Sequence, residues 1–590
     1  MRCTYSQGIK GRPVSAFSNS DECYRLLRMW LRRCLEEERK PVVSSFVPTR
    51  TIDVGPADGT QKPRLVVHRD GDSAHFPWVT LSHCWGGSSP LSTTAETLPE
   101  WTSDSGIPML LLPPTFRDAV LITRHLGYRH LWIDSLCIVQ DSREDWEREA
   151  ALMGDVYRHG QLNISASAAR SCHDGIFAKR DTRNGDNPDG YFSSAVRLPF
   201  RSARLDVGLE HREWMYLRPG PGWDRFREQV TGAESTLASR GWVLQEALLS
   251  PRTIHYSRRQ MFWECEHGTF GEGRVDALAR PSPSTKAVLL TPLPGLWSHK
   301  LILPTTADPR ENQLVTSSTE NKRSKMEIYA SWLKIVENYS ARALTVPTDV
   351  LPALAGAASV FQTGLQNENA YLAGFFRGYL LESLLWRRRE NDALADLRPG
   401  GFLPSWSWAS IIGGVTFEVT YSSTFLPPVP VGTATAAKIV EARTFLPGGE
   451  TAPPHHLTSV DGGRLVVNGH VLDGAGMVSK MYQLVADSLS LPGSGSWFLQ
   501  SFIDTDARVT RHVVLLHLGI WEWVFSRGSA SRFDRMYGGL LLEATDESRT
   551  SYRRIGIAML KVGDKTRYSA LRPGDEEVIR QWERRCLTIV

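Results

Sequence analysis

The sequence lacks several features that would assign its function directly. Its eight cysteines stand singly along 590 residues, without a Cys-x-x-Cys pair. Scattered thiols of this kind are typical of reduced intracellular proteins, and they predict neither a disulfide scaffold nor a structural zinc site. The first residues lack the apolar core of a signal peptide, and the longest apolar stretches, such as 350–361, fall short of the roughly 18 residues that span a bilayer. We therefore expect a soluble, cytoplasmic protein without a membrane span.

A strong charge of either sign is also absent. Lys and Arg number 68 and Asp and Glu 64, which leaves a formal net charge of +4. This excess is too small over such a length to hold a phosphate backbone by itself, so we do not predict nucleic-acid binding. Hydrophobic residues make up 41% of the chain. That fraction supports buried cores, and the length allows about two to four domains.

Common enzyme motifs are missing too. The sequence contains no GxxxxGK phosphate loop, no GxGxxG turn that opens a helix, no GxSxG elbow and no HExxH pair. These absences argue against a P-loop ATPase, a standard dinucleotide dehydrogenase, an α/β-hydrolase and a zincin protease. No resident cofactor and no metal site is predicted.

What is present in the first half is an alternation of helix and strand patterns. Amphipathic helices are predicted at 21–39 and 116–126, and a third helix begins after Asp141 and Ser142, which can cap it. Strand patterns lie at 64–68, 78–81, 131–139 and 161–167. Because the run at 131–139 is apolar almost throughout, we expect a central parallel strand buried on both faces. The pattern predicts an α/β domain with a mainly parallel sheet flanked by helices.

The remaining patterns suggest how the chain is divided. A helix capped by Ser239 and strands at 252–257 and 261–265 continue the α/β alternation, and a polar stretch at 304–325 predicts a flexible connection. Helices at 326–339 and 348–358 and several strands follow, with a hairpin turn at 547–551. We predict a lead-in (1–70), an α/β domain (71–275), a polar linker (276–325) and a strand-rich α+β region (326–590).

Two carboxylates stand in otherwise apolar segments of the predicted α/β domain. Asp134 lies within LWIDSLCIV and Glu246 within RGWVLQEALL. Burial raises the pKa of such a group and suits it to general acid or base chemistry. A structural interpretation is also open, in which Asp134 caps a loop or pairs with Arg240 or Arg117 and Glu246 is exposed on its helix.

Three blocks of the sequence resemble the HET (heterokaryon incompatibility) domain family of filamentous fungi. They are VTLSHCWGG at 79–87, the block at 116–167 that contains LWIDSLCIVQD, and SRGWVLQEALLSPRTIHYSRRQMFWEC at 239–265. Flanking segments such as PSWSWAS at 404–410 agree as well, so the resemblance covers most of the chain. It implies a role in non-self recognition after cell fusion and in the induction of programmed cell death, with a protein partner or self-association.

HET domains are considered distantly similar to TIR domains, some of which cleave the nicotinamide glycosidic bond of NAD with a glutamate in a Trp-Cys-x-x-Glu context. The segment SRGWVLQE has Trp242 and Glu246 at this spacing, with Val243 in place of the cysteine. The resemblance implies a TIR-like fold, Glu246 as the catalytic carboxylate and Asp134 in a supporting role. NAD or a related nucleotide would then be the substrate.

The other residues of the implied site would bind that nucleotide. Trp85 and Trp242 could stack on a ring, and the amides of Gly86 and Gly87 could meet phosphates. Ser82 opens the loop that carries these glycines. In the alternative interpretation the same motifs pack a core, and the protein is a non-catalytic signalling module that acts by self-association or by binding a partner.

Overall fold

The computed structural model divides the chain into two compact units. Unit 1 comprises residues 1–291 and 295–301, and unit 2 comprises residues 292–294 and 302–590. The residues that the structure describes are 14–37, 46–69, 76–87, 90–180, 196–200, 213–217, 230, 235–266, 268–273, 318–365, 370–389, 398, 402–417, 429–431, 436–452, 457, 460–473, 497–503, 512–527, 530–564, 567–568 and 579–590. The division into four parts made from the sequence stays a prediction.

Unit 1 contains ten strands in its described part, and eight of them form one mixed sheet. Its strands are β1 (Arg50–Asp53), β2 (Arg64–Val67), β3 (Trp78–Ser82), β4 (His130–Trp132), β5 (Leu162–Ser165), β6 (Val196–Phe200), β7 (Glu213–Leu217), β8 (Arg252–Tyr256), β9 (Met261–Cys265) and β10 (Gly268–Gly271). Strands β6 and β7 form a separate pair, and the others make one sheet in the order β10-β9-β8-β5-β3-β4-β1-β2. The central strands β4, β3, β5 and β8 are parallel, whereas the strands at both edges pair antiparallel. The predicted parallel sheet is confirmed for this central part.

Helices connect and cover the strands of unit 1. They are α1 (Asp21–Glu37), α2 (Leu98–Thr102), α3 (Pro114–His125), α4 (Asp134–Cys137), α5 (Arg143–His159) and α6 (Val243–Leu249). Helix α5 begins where the sequence predicts it, because the Ser142 side chain accepts a hydrogen bond from the amide of Asp145 at 3.2 Å. Arg158 and His159 in its last turn complement the negative end of the helix dipole.

The order of the parallel strands contains a switch point, the place where open α/β sheets have a ligand crevice. Along the chain, β3 is the first of the four, β4 the second, β5 the third and β8 the fourth, so β3 and β5 are neighbours whose connections leave in opposite directions. In open α/β sheets, ligands bind outside the carboxyl ends of the strands at such a point. The carboxyl ends of β3 and β5 therefore mark where a site is expected.

Two sequence predictions in this unit are wrong in detail. The run at 131–139 is not one strand, because β4 ends at Trp132 and the helical turn α4 follows at 134–137. A short apolar run does not distinguish a strand from a buried helical turn, and Leu136 and Cys137 are fully buried in the turn. Ser239 ends a 3₁₀ turn instead of capping a helix, and α6 begins only at Val243.

Unit 2 is rich in strands. Its helices are α7 (Ser318–Ser340), α8 (Pro352–Gly364) and α9 (Leu380–Ser383), and its strands are β11 (Tyr371–Leu372), β12 (Phe375–Phe376), β13 (Trp386–Arg388), β14 (Val415–Phe417), β15 (Val429–Val431), β16 (Lys438–Thr444), β17 (Gly463–Asp473), β18 (Trp497–Ile503), β19 (Val513–Arg527), β20 (Ala530–Ala544), β21 (Tyr552–Asp564), β22 (Arg567–Tyr568) and β23 (Glu583–Ile589). Strands β19, β20, β21, β23 and β17 pair in a closed circuit and form a barrel. The predicted α+β, strand-rich region is confirmed.

Details of unit 2 refine the sequence predictions. Helix α7 begins at Ser318, inside the stretch predicted as a linker, and residues 276–317 of that stretch lie outside the described residues. The predicted turn at 547–551 does join β20 to β21, closed by the amide of Thr545 on the carbonyl of Ser551 at 2.9 Å. None of the helices that the structure describes is long and apolar enough to cross a membrane.

The PSWSWAS segment has a packing role in unit 2. Trp406 and Trp408 are fully buried, and the Trp386 indole donates a hydrogen bond to the carbonyl of Trp406 at 3.0 Å. Gly374 has a φ of +101°, and a Cβ there would collide with the Trp408 ring. These contacts explain the aromatic residues of this segment as core.

Candidate functional site

The candidate site of unit 1 lies where β3 ends. On β3 and β5, alternate side chains divide into an apolar face and a polar face. Val79, Leu81, Leu162 and Ile164 form the apolar face and are buried. Thr80, Ser82 and Asn163 lie on the other face, together with Trp78 of β3. Helix α5 covers this face, since the Trp78 indole donates to the carbonyl of Val156 in α5 at 3.0 Å. Polar side chains buried on a central parallel strand are unusual and need a reason.

Glu246 in α6 meets this polar face. Ser82 and Tyr157 are polar neighbours of its side chain, and the residue is only 6% exposed. Burial raises the pKa of the Glu246 carboxyl to about 7; the Asp134 charge adds to the increase, whereas the Ser82 and Tyr157 hydroxyls and the attraction of Arg240 oppose it. Both protonation states of Glu246 are therefore populated near neutral pH. The structural alternative in which Glu246 is exposed on its helix is wrong.

A chain of hydrogen bonds holds Ser82 in place. The Asn163 amide nitrogen donates to the Ser82 hydroxyl oxygen at 3.0 Å, and the Asn163 carbonyl oxygen accepts from Thr80 at 3.1 Å. All three side chains are buried. The Ser82 hydroxyl in turn donates to the Asn163 carbonyl oxygen at 3.2 Å, so Asn163 fixes the position of this hydroxyl.

Tyr157 reaches the same carboxylate from the end of α5. Its hydroxyl donates to the carbonyl oxygen of Leu81 at 3.1 Å and lies beside Glu246. The ring packs edge-on against Trp132 with centroids 5.7 Å apart. Burial raises the pKa of Tyr157 well above its ordinary value, so the hydroxyl keeps its proton.

Asp134 lies at the start of α4 with 24% of its side chain exposed. Its carboxylate accepts hydrogen bonds from the Trp85 indole at 2.9 Å and from the Ser135 amide at 2.8 Å. Asp134 is the first residue of the turn that follows β4, and this turn has no side-chain cap, so the sequence interpretation in which Asp134 caps a loop is not confirmed. Among the described residues, neither Arg117 nor Arg240 forms an ion pair with it. The charge of Asp134 nevertheless acts on Glu246, which couples the two carboxylates.

His83 directly follows β3 and lies beside Asp134. Its Nδ1 is 3.8 Å from an Asp134 oxygen, and the ring stands edge-on to Phe116. Burial lowers the pKa of His83 to about 4, so the imidazole is neutral at physiological pH. Within the described residues its Nε2 is buried without a hydrogen-bond partner. Arg240 donates to the backbone carbonyl of His83 and ties this loop to the segment before α6.

The glycine loop after β3 is shaped by one of its two glycines. Gly86 has a φ of +88°, and a Cβ there would lie 2.6 Å from the Cβ of Ser171. At Gly87 a Cβ would meet no atom within 4 Å. Both glycines are exposed, beside the half-buried Trp85. Of these two positions, only position 86 therefore requires a glycine for its backbone conformation.

Trp242 is placed differently from the sequence expectation. Its ring packs edge-on against Trp146 of α5, with centroids 6.4 Å apart, so it joins α6 to α5. Val243, which stands where the TIR motif has cysteine, is in an apolar cluster with Cys84 and Leu237. These two positions contribute packing to the described structure.

The structure thus brings together five of the predicted site residues. Ser82 contacts Glu246, Trp85 contacts Asp134, and Gly86 belongs to the loop beside them. Sequence reasoning missed the contacts that Tyr157, Asn163, His83 and Arg240 make at this candidate site. One signal was available: a tyrosine on the buried face of a helix needs a partner for its hydroxyl.

Fold and site together define an α/β protein with a titratable carboxylate at the carboxyl end of its parallel strands. Residues 78–246 match the model of the family described as heterokaryon incompatibility protein (HET). This match confirms the resemblance to the HET domain family for residues 78–246. The match begins at β3 and ends at Glu246, so it contains both carboxylates. No curated protein and no solved structure matches the chain significantly.

Proposed function

We propose that this protein is an effector of fungal non-self recognition, and that its HET domain causes cell death by TIR-like cleavage of NAD or a related nucleotide. The observation that supports the proposal is the state of Glu246. It is a buried carboxylate with a pKa of about 7, next to Ser82 and under the influence of Asp134, at the crevice of a parallel sheet. Carboxylates with perturbed pKa values in such positions are candidates for catalysis.

The chemistry requires one carboxylate and a water molecule. As the bond between ribose C1′ and the nicotinamide nitrogen breaks, its electron pair leaves with nicotinamide and positive charge develops at C1′. Ionised Glu246 would stabilise that charge, directly or through the ribose hydroxyls. Water then adds to C1′ and releases a proton. Asp134, held by Trp85, would add a second negative charge beside the ribose.

The glycine loop would bind the phosphates. Gly86 and Gly87 are exposed, and within the described part of the chain neither amide donates a backbone hydrogen bond. Amides of this kind at the end of a strand are suited to anions. Phosphate binding at this loop would place the ribose near the two carboxylates, since Trp85 joins the loop to Asp134.

Expression of the full chain in fungal cells tests the proposal. Cells that express the wild type are compared with cells that express Glu246→Gln or Glu246→Ala, and NAD content and survival are followed after induction. Glu147→Gln is the matched control, because Glu147 is exposed on α5 and its ion-pair partner in the described part of the chain is the exposed Arg143. We expect early NAD loss and death with the wild type and the control, and neither with the Glu246 variants at equal folded abundance.

A different result would favour the non-catalytic alternative. Death that persists in both Glu246 variants, with NAD unchanged, would reject Glu246 as a catalyst. The HET domain would then act as a module that self-associates or binds a protein partner.

A further inference from the structure

A serine, a histidine and a glutamate of the same sheet form a chain of contacts within hydrogen-bond distance. The Nε2 of His255 lies 3.1 Å from a carboxylate oxygen of Glu264, and its Nδ1 lies 3.4 Å from the hydroxyl oxygen of Ser167. All three side chains are buried. A carboxylate, an imidazole and a hydroxyl in this order are the groups that activate a serine as a nucleophile on several unrelated folds.

The central strands of unit 1 place these groups. In the pairing of β5 with β8, Ser165 is opposite His255. In the pairing of β8 with β9, Glu264 is opposite Thr253, two residues before His255. Since alternate side chains of a strand share a face, Glu264 and His255 lie on the same face of the sheet. Ser167 follows the carboxyl end of β5, and its hydroxyl is 2.9 Å from that of Ser165. The serine is therefore at the end of the chain of contacts that faces the switch point.

We infer that Ser167 is the nucleophile of a second site, which takes the acyl group of a small carboxylic ester. His255 is its general base, and Glu264 orients the imidazole. When the ring proton is on Nε2, it hydrogen-bonds to Glu264, and Nδ1 has a lone pair for the hydroxyl proton of Ser167. This activity goes beyond the proposed function, because its chemistry uses neither a nucleotide nor Glu246.

The position of Ser167 limits the substrate to a small acyl group. Ser167 is only 1% exposed, but the next residue, Ala168, is half-buried, and the side chain of Arg170 is 75% exposed. The hydroxyl thus lies one residue below the surface, in the segment that leaves the sheet. A short acyl chain reaches it through a local opening of this segment, and local openings of loops are the least costly motions of a fold.

The reaction has two steps. In the first, the Ser167 oxygen adds to the ester carbonyl carbon while its proton passes to Nδ1 of His255. The bond to the alcohol then breaks, and His255 returns the proton to the leaving alcohol. In the second step, water adds to the acyl-enzyme in the same way, and the carboxylic acid and the free Ser167 hydroxyl are released. The Glu264 carboxylate stabilises the imidazolium that forms in each step.

Covalent labelling of the full chain tests the inference. The wild type is treated with diisopropyl fluorophosphate, which bonds a nucleophilic serine oxygen to phosphorus and releases fluoride, and the labelled peptide is identified by mass spectrometry. We expect one label, on Ser167, and hydrolysis of p-nitrophenyl acetate. In His255→Gln both rates should fall by about 10²–10⁴-fold, because the general base is lost.

Ser257→Ala is the matched control. Ser257 is also a buried serine and directly follows β8, but its hydroxyl donates to the carbonyl of Gln260 at 2.6 Å. This variant should be labelled on Ser167 as fast as the wild type, and Ser167→Ala should not be labelled. Ser167→Cys keeps a nucleophile of similar size, so it should retain ester hydrolysis even if the alanine variant does not fold.

The outcomes for this site and for Glu246 are separable. No label on Ser167 in the folded wild type, or an equal labelling rate in His255→Gln, would overturn the inference. Labelling of Ser167 in the wild type and in Glu246→Gln, without NAD loss in cells that express the wild type, would support the inference and count against the proposed function.

Discussion

Two of the buried glutamates of unit 1 have opposite surroundings. Glu272 accepts hydrogen bonds from Arg180 at 2.6 Å and from the amides of Met261 and Ser15 at 2.9 Å. Glu246, by contrast, has the hydroxyls of Ser82 and Tyr157 beside it, and burial raises its pKa. A charge paired with arginine and amides holds segments of the chain together, whereas a carboxyl with a raised pKa keeps an adjustable proton. The comparison separates a structural carboxylate from one suited to chemistry.

The largest effect is expected at the structural glutamate. Glu272→Ala would leave Arg180 buried without its carboxylate and would release the segment at Ser15. Loss of one partner of a buried ion pair costs about 3–5 kcal/mol of unfolding free energy. Urea denaturation followed by tryptophan fluorescence measures this. A cost below about 1 kcal/mol would show that the contrast between the two glutamates is not real.

Glu246→Gln should increase the free energy of unfolding, whereas Glu272→Ala should decrease it. The pKa of Glu246 is raised from 4.5 to about 7 in the folded chain, so the folded state holds a proton that the unfolded state has lost between these values. Stability from this group is therefore lost as the pH rises through that window. The variant should be more stable than wild type by up to about 3 kcal/mol above neutral pH, and about equal to it below pH 4.5.

Denaturation of wild type and Glu246→Gln at a series of pH values checks this expectation. Glu272→Gln serves as the contrast, since its pairing with Arg180 predicts a loss of stability at neutral pH. If Glu246→Gln destabilised the protein at alkaline pH, the Glu246 carboxylate would have a structural role, like that of Glu272.

The glycine loop offers a sharper comparison between adjacent residues. Gly86→Ala introduces a Cβ 2.6 Å from Ser171 at a positive φ, and it should cost about 2 kcal/mol. Gly87→Ala adds a Cβ that would have no atom within 4 Å, and it should change the free energy of unfolding by less than about 0.5 kcal/mol. Thermal denaturation of the two variants side by side measures the difference. Equal costs would mean that the conformation of the loop is not held by Ser171.

The sequence predicts the parallel sheet and both carboxylates of the candidate site, and the reasons are physical. Period and apolar runs identify β3, α3 and α5, because these elements bury one continuous face. They do not distinguish β4 from the turn at Asp134, since both are apolar and short. The contacts of Glu246 with Tyr157 and Ser82 join residues far apart in the chain. No local pattern contains such contacts, so they required the folded structure.

The smallest effect is expected at Trp85, which connects the glycine loop to Asp134. Trp85→Phe keeps most of the ring but removes the indole donor that lies 2.9 Å from the carboxylate. Asp134 keeps the bond from the Ser135 amide and is partly exposed to water, so the free energy of unfolding should fall by about 1 kcal/mol.

The same variant should change the pKa of Glu246. Because Asp134 would then be free to move away from Glu246, its charge should raise this pKa less. The midpoint of the Glu246 carbonyl band, followed by infrared spectroscopy as the pH is varied, should therefore fall. Trp101→Phe, at a buried tryptophan of α2, is the control for loss of an indole. An unchanged midpoint in Trp85→Phe would mean that the Ser135 amide alone fixes Asp134, and that the two carboxylates stay coupled without the loop.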